Sequence, residues 1–220
     1  MIPKKIFSIL LAVVSGLACS RYCISDAAEP VCFLERLEGR INSSEISFSY
    51  TYRAAKDNVS MTGQGTVILQ GEAFILDVNG LEIYCDGSTR WTLDSGAEEL
   101  VIESYDSYSE DLSANPAMLL RRLTGFFEAV SQSDAEYGGE KAIRVELKPK
   151  SYPQFRSVAL YFRQGHPDSD ILIGASIVAA DGTVTDFTVT DFRYGPKGDP
   201  SRFSFDPSAL AGSWIVTDLR

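Results

Sequence analysis

Residues 81–93, LEIYCDGSTRWTL, constrain this chain more than any other stretch. Two short apolar segments meet at Asp86-Gly87, a dipeptide favoured by the type I′ hairpin turn, whose two central residues both need positive φ. A two-residue turn there sets Cys85 opposite Ser88, Tyr84 opposite Thr89, Ile83 opposite Arg90 and Glu82 opposite Trp91. Side chains alternate along a strand, so Leu81, Ile83 and Cys85 share one face while Tyr84, Trp91 and Leu93 share the other. Both faces carry apolar bulk. An antiparallel sheet with one solvated face shows apolar residues on the other face alone, so this hairpin requires cover on both sides.

The flanking segments extend it. Ile46, Phe48, Tyr50 and Tyr52 alternate with Glu45, Ser47, Ser49 and Thr51, the pattern of a half-buried strand. Residues 61–70 and 73–79 make a second pair through Gln70-Gly71, Asn79-Gly80 turns into the opening hairpin, and residues 99–105 continue the run. Such short connections predict an antiparallel, sequential meander from residue 45 to residue 105. Within it Phe74, Leu76 and Val78 take one side of their strand, with Ala73 and Ile75 on the other. Later strands are predicted over residues 142–148, 157–163, 171–179 and, after Asp181-Gly182, 183–192; Phe203, Phe205 and residues 214–217 finish the chain.

Two stretches switch to helical spacing. From Ala28 onward Val31, Leu34, Leu37 and Ile41 recur three and four apart. At Asn115-Pro116 a favoured N-cap precedes a favoured first helical residue. Leu119, Leu120, Leu123, Phe126 and Phe127 follow on one face, with Arg121, Arg122 and Glu128 turned away, which predicts a helix over 115–128 able to cover the sheet. The total is about ten or eleven strands and two or three helices in one mainly β (α+β) domain. No βαβ alternation is present, so a parallel α/β fold is not expected.

The first residues differ in kind. Lys4 and Lys5 precede a nearly unbroken apolar run over residues 6–18 and then small residues ending in Ala27-Ala28, the order of a secretory signal peptide over residues 1–27, followed by a single domain over 28–220. Gly16-Leu17-Ala18-Cys19 approaches a lipobox, so a lipid anchor through Cys19 stands as the alternative to free export. The chain carries a net charge of −10, and cleavage would remove Lys4, Lys5, Arg21 and Asp26, leaving it more acidic still. Nucleic-acid affinity rests on phosphate neutralisation by Lys and Arg, so an acidic chain argues against that partner and against anionic membranes. Cys32 and Cys85 remain after cleavage; the sequence leaves open whether they form a disulfide, which export would permit, or are two buried small apolar residues.

Catalytic chemistry is sparse. His166 is the only histidine and lies in a polar loop beside Pro167, away from any Ser or Cys motif. G-x-S-x-G, Walker A and C-x-x-C patterns are missing, and Asp168-Ser169-Asp170 falls short of a calcium ligand set. Catalytic residues, metal and cofactor are therefore not expected.

The export signal, N-terminal helix, meander, CDGSTRWTL, NPAMLL and the ending FSFDPSALAGSWIVTDL together resemble the periplasmic lipoprotein carrier family, LolA-like. The match spreads over nearly the whole mature chain, and its most specific pieces are Asp86-Gly87 with Trp91, residues 115–120, and residues 203–207 with 216–218. The resemblance implies an incomplete antiparallel β-barrel whose concave face is covered by helices acting as a lid. It implies a monomer in the periplasm of a Gram-negative bacterium, taking acylated lipoproteins from an inner-membrane release complex to an outer-membrane acceptor. It further implies Phe74, Leu76, Trp91 and Leu93 as cavity wall and Leu119, Leu120, Leu123, Phe126 and Phe127 as lid. Many carriers have an Arg-Pro pair where this chain has Gln70-Gly71, a departure that touches lid closure. Related members bind other lipids or act as periplasmic sensors, the alternative reading.

Overall fold

The computed structural model describes residues 30–106, 120, 123–150, 154–165 and 170–220, with side chains from residue 33 onward. The predicted signal peptide, Cys19, Asn115-Pro116, Leu119 and His166 lie outside the described residues, as does the Cys32 side chain.

Strands β1 (Glu45–Lys56), β2 (Val59–Gln70), β3 (Ala73–Val78), β4 (Leu81–Cys85), β5 (Thr89–Asp94) and β6 (Glu99–Ser104) form the expected meander. A second meander runs through β7 (Phe127–Tyr137), β8 (Glu140–Pro149), β9 (Phe155–Arg163), β10 (Leu172–Ala179) and β11 (Val184–Gly195). Antiparallel pairing of β1 with β11 fuses the two, and β12 (Ile215–Asp218) adds to β6 in parallel. The result is one 12-stranded sheet in the order β12-β6-β5-β4-β3-β2-β1-β11-β10-β9-β8-β7. Among the described residues its edges, β12 and β7, do not pair, so the barrel is incomplete.

One helix, α1 (Pro30–Ser43), packs on one face, here called the inner face. Phe33, Leu34, Leu37 and Ile41 are buried against it while Glu35 and Arg36 stay in solvent. Most inner residues of β1, β8, β9 and β11 are buried, with Tyr52 and Ile143 half-buried, although α1 has only 14 residues. A flat sheet of this width would need several long helices to cover one face; a curled sheet needs less cover.

Glycines in β2 admit that curl. Tyr52 and Tyr50 pair with Gly63 and Gly65 and fold their rings across β2. A Cβ at Gly63 would lie 2.5 Å from the Tyr52 ring, and one at Gly65 would overlap the Tyr50 hydroxyl and the Asp77 carbonyl. Only glycine leaves the space that the two rings occupy.

Two expectations are corrected. Within the described residues α2 is confined to Leu123–Phe126, and Phe127 begins β7 instead of continuing a helix to Glu128. Pairing of Phe127 with Pro149 and of Glu128 with Lys148 captures the chain into the sheet, and Gly125 weakens the helix just before it. The hairpin of β4 and β5 is also set differently: Tyr84 faces Trp91, Cys85 faces Arg90 and Glu82 faces Leu93. The Asp86 N–H donates to the Thr89 carbonyl, leaving Gly87-Ser88 as the turn, with φ 97° at Gly87 alone. Positive φ at the first central residue only is the pattern of a type II′ turn. Asp86 Oδ1 fixes it by accepting from Ser88 N, Ser88 Oγ and Thr89 N, each at 2.8 Å. Because the register moves by two residues, every side chain keeps its expected face.

Candidate functional site

The inner face is one apolar surface that continues from β4 across β3, β2, β1, β11, β10, β9 and β8 to β7. Cys85, Phe74, Leu76, Val67 and Leu69 form one end, and Val145, Leu147, Leu160 and Phe162 the other. Between them lies an aromatic tier. Phe48 stacks on Phe192 at 5.7 Å, and Tyr50 and Tyr52 each sit 5.9 Å from Phe187. The Tyr50 hydroxyl is buried without a hydrogen-bond partner among the described residues. Burial first, then the nearby Tyr52 and Asp77, push its pKa well above the usual phenol range.

Cover comes from α1, Leu120 and α2. Leu120, Leu123, Phe126 and Phe127 are all buried in the same core as Phe74 and Leu76. These six predicted residues are therefore brought together. Trp91 and Leu93 are not. They point to the opposite face, where they cluster with Leu100 and Ile102 beneath Tyr84, Phe205, Leu210 and Trp214. The four-residue wall of Phe74, Leu76, Trp91 and Leu93 is thus divided between two faces: Leu76 pairs with Ile83 on the inner face, and Trp91 pairs with Tyr84 on the outer. The two-sided apolar character of residues 81–93 has two distinct covers, the inner helices and the C-terminal segment.

That segment is a strap with its own fastenings. Asp199 caps the 3-10 turn Pro200–Phe203 and Asp206 caps Pro207–Ala209, each accepting a backbone N–H two residues on. Arg202 pairs with Glu45 at 2.9 Å, and Phe203 is fully buried. Gln70, at the position where the resemblance would place arginine, exchanges two hydrogen bonds with Gly198.

Polar ties hold the inner cover. Arg40 pairs with Asp170 at 2.6 Å, lies over the Tyr194 ring at 3.9 Å, and the Tyr194 hydroxyl donates to the Asp170 carbonyl at 3.1 Å. Thr124 of α2 donates its hydroxyl to Glu38 of α1, and Lys150 Nζ donates to the Thr124 carbonyl at 2.6 Å. None of these tertiary partners has a local sequence signal. A cavity of about 460 Å³ opens beside Ser49, Tyr50, Gln64, Thr66, Asp77 and Thr190. Its lining is mixed, with hydroxyls, amides and a carboxylate beside Tyr50. No cluster of metal-ligating side chains occurs among the described residues.

The described residues form an open antiparallel half-barrel over α1, the architecture that the resemblance to the LolA-like family implies. A conserved protein of Thermus thermophilus is similar, with a TM-score of 0.51 at 10% identity over 84% of this chain and 98% of that one. So are a LolA superfamily protein from Nitrosomonas europaea (TM-score 0.45, 13% identity, 84% and 100%) and an outer membrane lipoprotein-sorting protein domain from Vibrio parahaemolyticus (0.42, 10%, 80% and 95%). At these identities the likeness is one of fold. No protein-family model matches the chain, and no curated protein does either.

Proposed function

We propose that this chain is an exported, non-enzymatic carrier that shields acyl chains against the inner face of its open sheet. The observation that carries this reading is the make-up of the interior: a continuous apolar trough filled by a helix and a helical turn that are fastened at their rims by a few polar contacts. Displacing such a filler exposes a surface with the chemistry of a lipid tail. The need is large. At roughly 0.8 kcal/mol per methylene, one sixteen-carbon chain costs on the order of 12 kcal/mol to leave in water.

The cargo of this reading is an acylated lipoprotein, received from an inner-membrane release complex and passed to an outer-membrane acceptor across a periplasm. The chain acts as a monomer, without metal, cofactor or catalytic residues. Gln70 favours a second reading. Since its amide holds the C-terminal strap, lid closure by an arginine at that position is not available, and a carrier or sensor of another lipid fits the same interior.

Purified mature chain mixed with a triacylated lipoprotein released from membranes should yield a soluble, stoichiometric complex. Aggregation of the cargo in its presence would overturn the first reading. Uptake of a free fatty acid or phospholipid without lipoprotein would select the second.

A further inference from the structure

We propose that Thr124 is the latch residue of the interior's cover, held from opposite sides by Glu38 and Lys150. This rests on the carrier reading above and assigns the regulation of that same interior.

α1 is fixed to the sheet independently of α2. Its apolar residues Phe33, Leu34, Leu37 and Ile41 are all nearly fully buried, and near its C-terminus Arg40 reaches Asp170, which is 6% exposed. Arg40 also lies on the Tyr194 ring, and Tyr194 binds the Asp170 backbone, so that end is fastened by charge, ring and hydroxyl together.

Among the described residues, α2 is joined to the sheet at its C-terminal end, where Phe127 begins β7. Before that point it is a single turn with buried apolar side chains, Leu123 and Phe126, and among the described residues both side-chain ties that reach it, from Glu38 and from Lys150 Nζ, fall on Thr124. The Thr124 hydroxyl donates to the Glu38 carboxylate on α1. The Thr124 carbonyl accepts from Lys150 Nζ at 2.6 Å, and the Lys150 backbone N–H donates to the Phe126 carbonyl at 2.9 Å. An anion on one side and a cation on the other thus hold one threonine between α1 and the end of β8. The site is half-buried: Thr124 and Glu38 are partly accessible and Lys150 is exposed. A charge-assisted hydrogen bond there is strong enough to keep the turn seated and accessible enough to be broken. Release of Thr124 frees α2 from α1 while Arg40 and Asp170 keep α1 in place.

The test compares Thr124→Val, which keeps shape and loses the donor, with Thr124→Ser, which keeps the donor, and Lys150→Met, which removes the second tie. Two readouts are taken on each full mature chain: amide hydrogen exchange across residues 123–130, and the uptake rate of a fluorescent sixteen-carbon fatty acid. Thr124→Val should raise both by about tenfold, the order that a half-exposed hydrogen bond to a charged group supports. Lys150→Met should raise them less, and Thr124→Ser should match the wild type. Unchanged exchange in Thr124→Val and Lys150→Met overturns the latch. If the wild type takes up no fatty acid, the carrier reading for that ligand fails, and the exchange data decide the latch alone. Faster exchange with unchanged uptake overturns the latch as a gate.

Discussion

The side-chain amide of Gln70 grips both backbone groups of Gly198: Nε2 donates to the Gly198 carbonyl at 3.3 Å, and the Gly198 N–H donates to Oε1 at 2.8 Å. The pair lies 128 residues apart in sequence and joins the end of β2 to the entry of the strap. An Arg side chain has no acceptor, so it could not serve the Gly198 N–H. The departure from Arg-Pro at this position therefore has a structural counterpart: a residue that meets the C-terminal segment in place of one associated with the lid.

Gln70→Ala should loosen the strap first. Losing two neutral, partly buried hydrogen bonds costs about 1–2 kcal/mol, and the cut sites exposed should fall around residues 196–199. Urea unfolding gives the loss of stability, and limited proteolysis with mapping of the first cleavage gives its location. Cleavage elsewhere first would show that Gln70 does not hold the strap.

Trp91 and Leu76 should report opposite sides of the wall. A brominated fatty acid quenches a tryptophan only at close approach, and the chain has two tryptophans, Trp91 and Trp214, both in the outer cluster. Their emission should survive addition of the brominated probe. In a Trp91→Phe, Trp214→Phe background, Leu76→Trp should be quenched on binding. The larger side chain costs roughly 1–3 kcal/mol of overpacking, which circular dichroism and a thermal melt will bound. Quenching of native Trp91 would move the binding surface to the other face.

The first meander was legible because its signals are local: alternation over residues 46–52 and 73–78 and turns at Gln70-Gly71 and Asn79-Gly80. The faces of β4 and β5 were legible as well, since a two-residue register error leaves alternation intact. β7 was not legible. It is an edge strand, EAVSQSDAEY after Phe127, and it turns Gln132 and Asp134 to the side where β8 carries Val145 and Ile143. Polar residues on both faces are a way in which edges are protected, and they erase the pattern by which a strand is read. The separation of Trp91 from Phe74 depended on which cover lies on which face. That is settled by contacts of Phe205, Leu210 and Trp214 far along the chain, which no periodicity contains.

Acid should release the strap before it unfolds the sheet. Asp199 and Asp206 have pKa values lowered by backbone N–H and hydroxyl hydrogen bonds from Ser201 and Ser208, and Arg220 holds Asp218 down to about 2. A carboxylate whose pKa is lower in the folded chain contributes stability above its unfolded value, near 3.9, and loses it as pH falls through the folded value. The strap's contribution is therefore expected to be whole at pH 7 and to fade between about pH 4 and pH 2. Red-shifted tryptophan emission preceding loss of β-sheet circular dichroism would follow from this order. Simultaneous loss of both signals would show that the strap is not an independent unit.

Tyr137 should make the sheet's far half sensitive to alkali. Its hydroxyl donates to the Phe187 carbonyl at 3.0 Å, its ring stacks on Tyr161 at 4.1 Å, and it fills the space over Gly174 where a Cβ would clash. Burial first, then the Asp186 charge and Tyr161, push its pKa up to about 12. Folding thus favours the neutral phenol, so its contribution is whole below the ordinary tyrosine value near 10 and is lost as pH rises through about 12. Tyr137→Phe should cost about 1 kcal/mol at pH 7 through the missing hydrogen bond. It should also flatten the wild-type decline in urea midpoint between about pH 10 and pH 12. Equal declines in the two proteins would assign the alkaline sensitivity to other groups, with the buried Tyr50 hydroxyl the next to substitute.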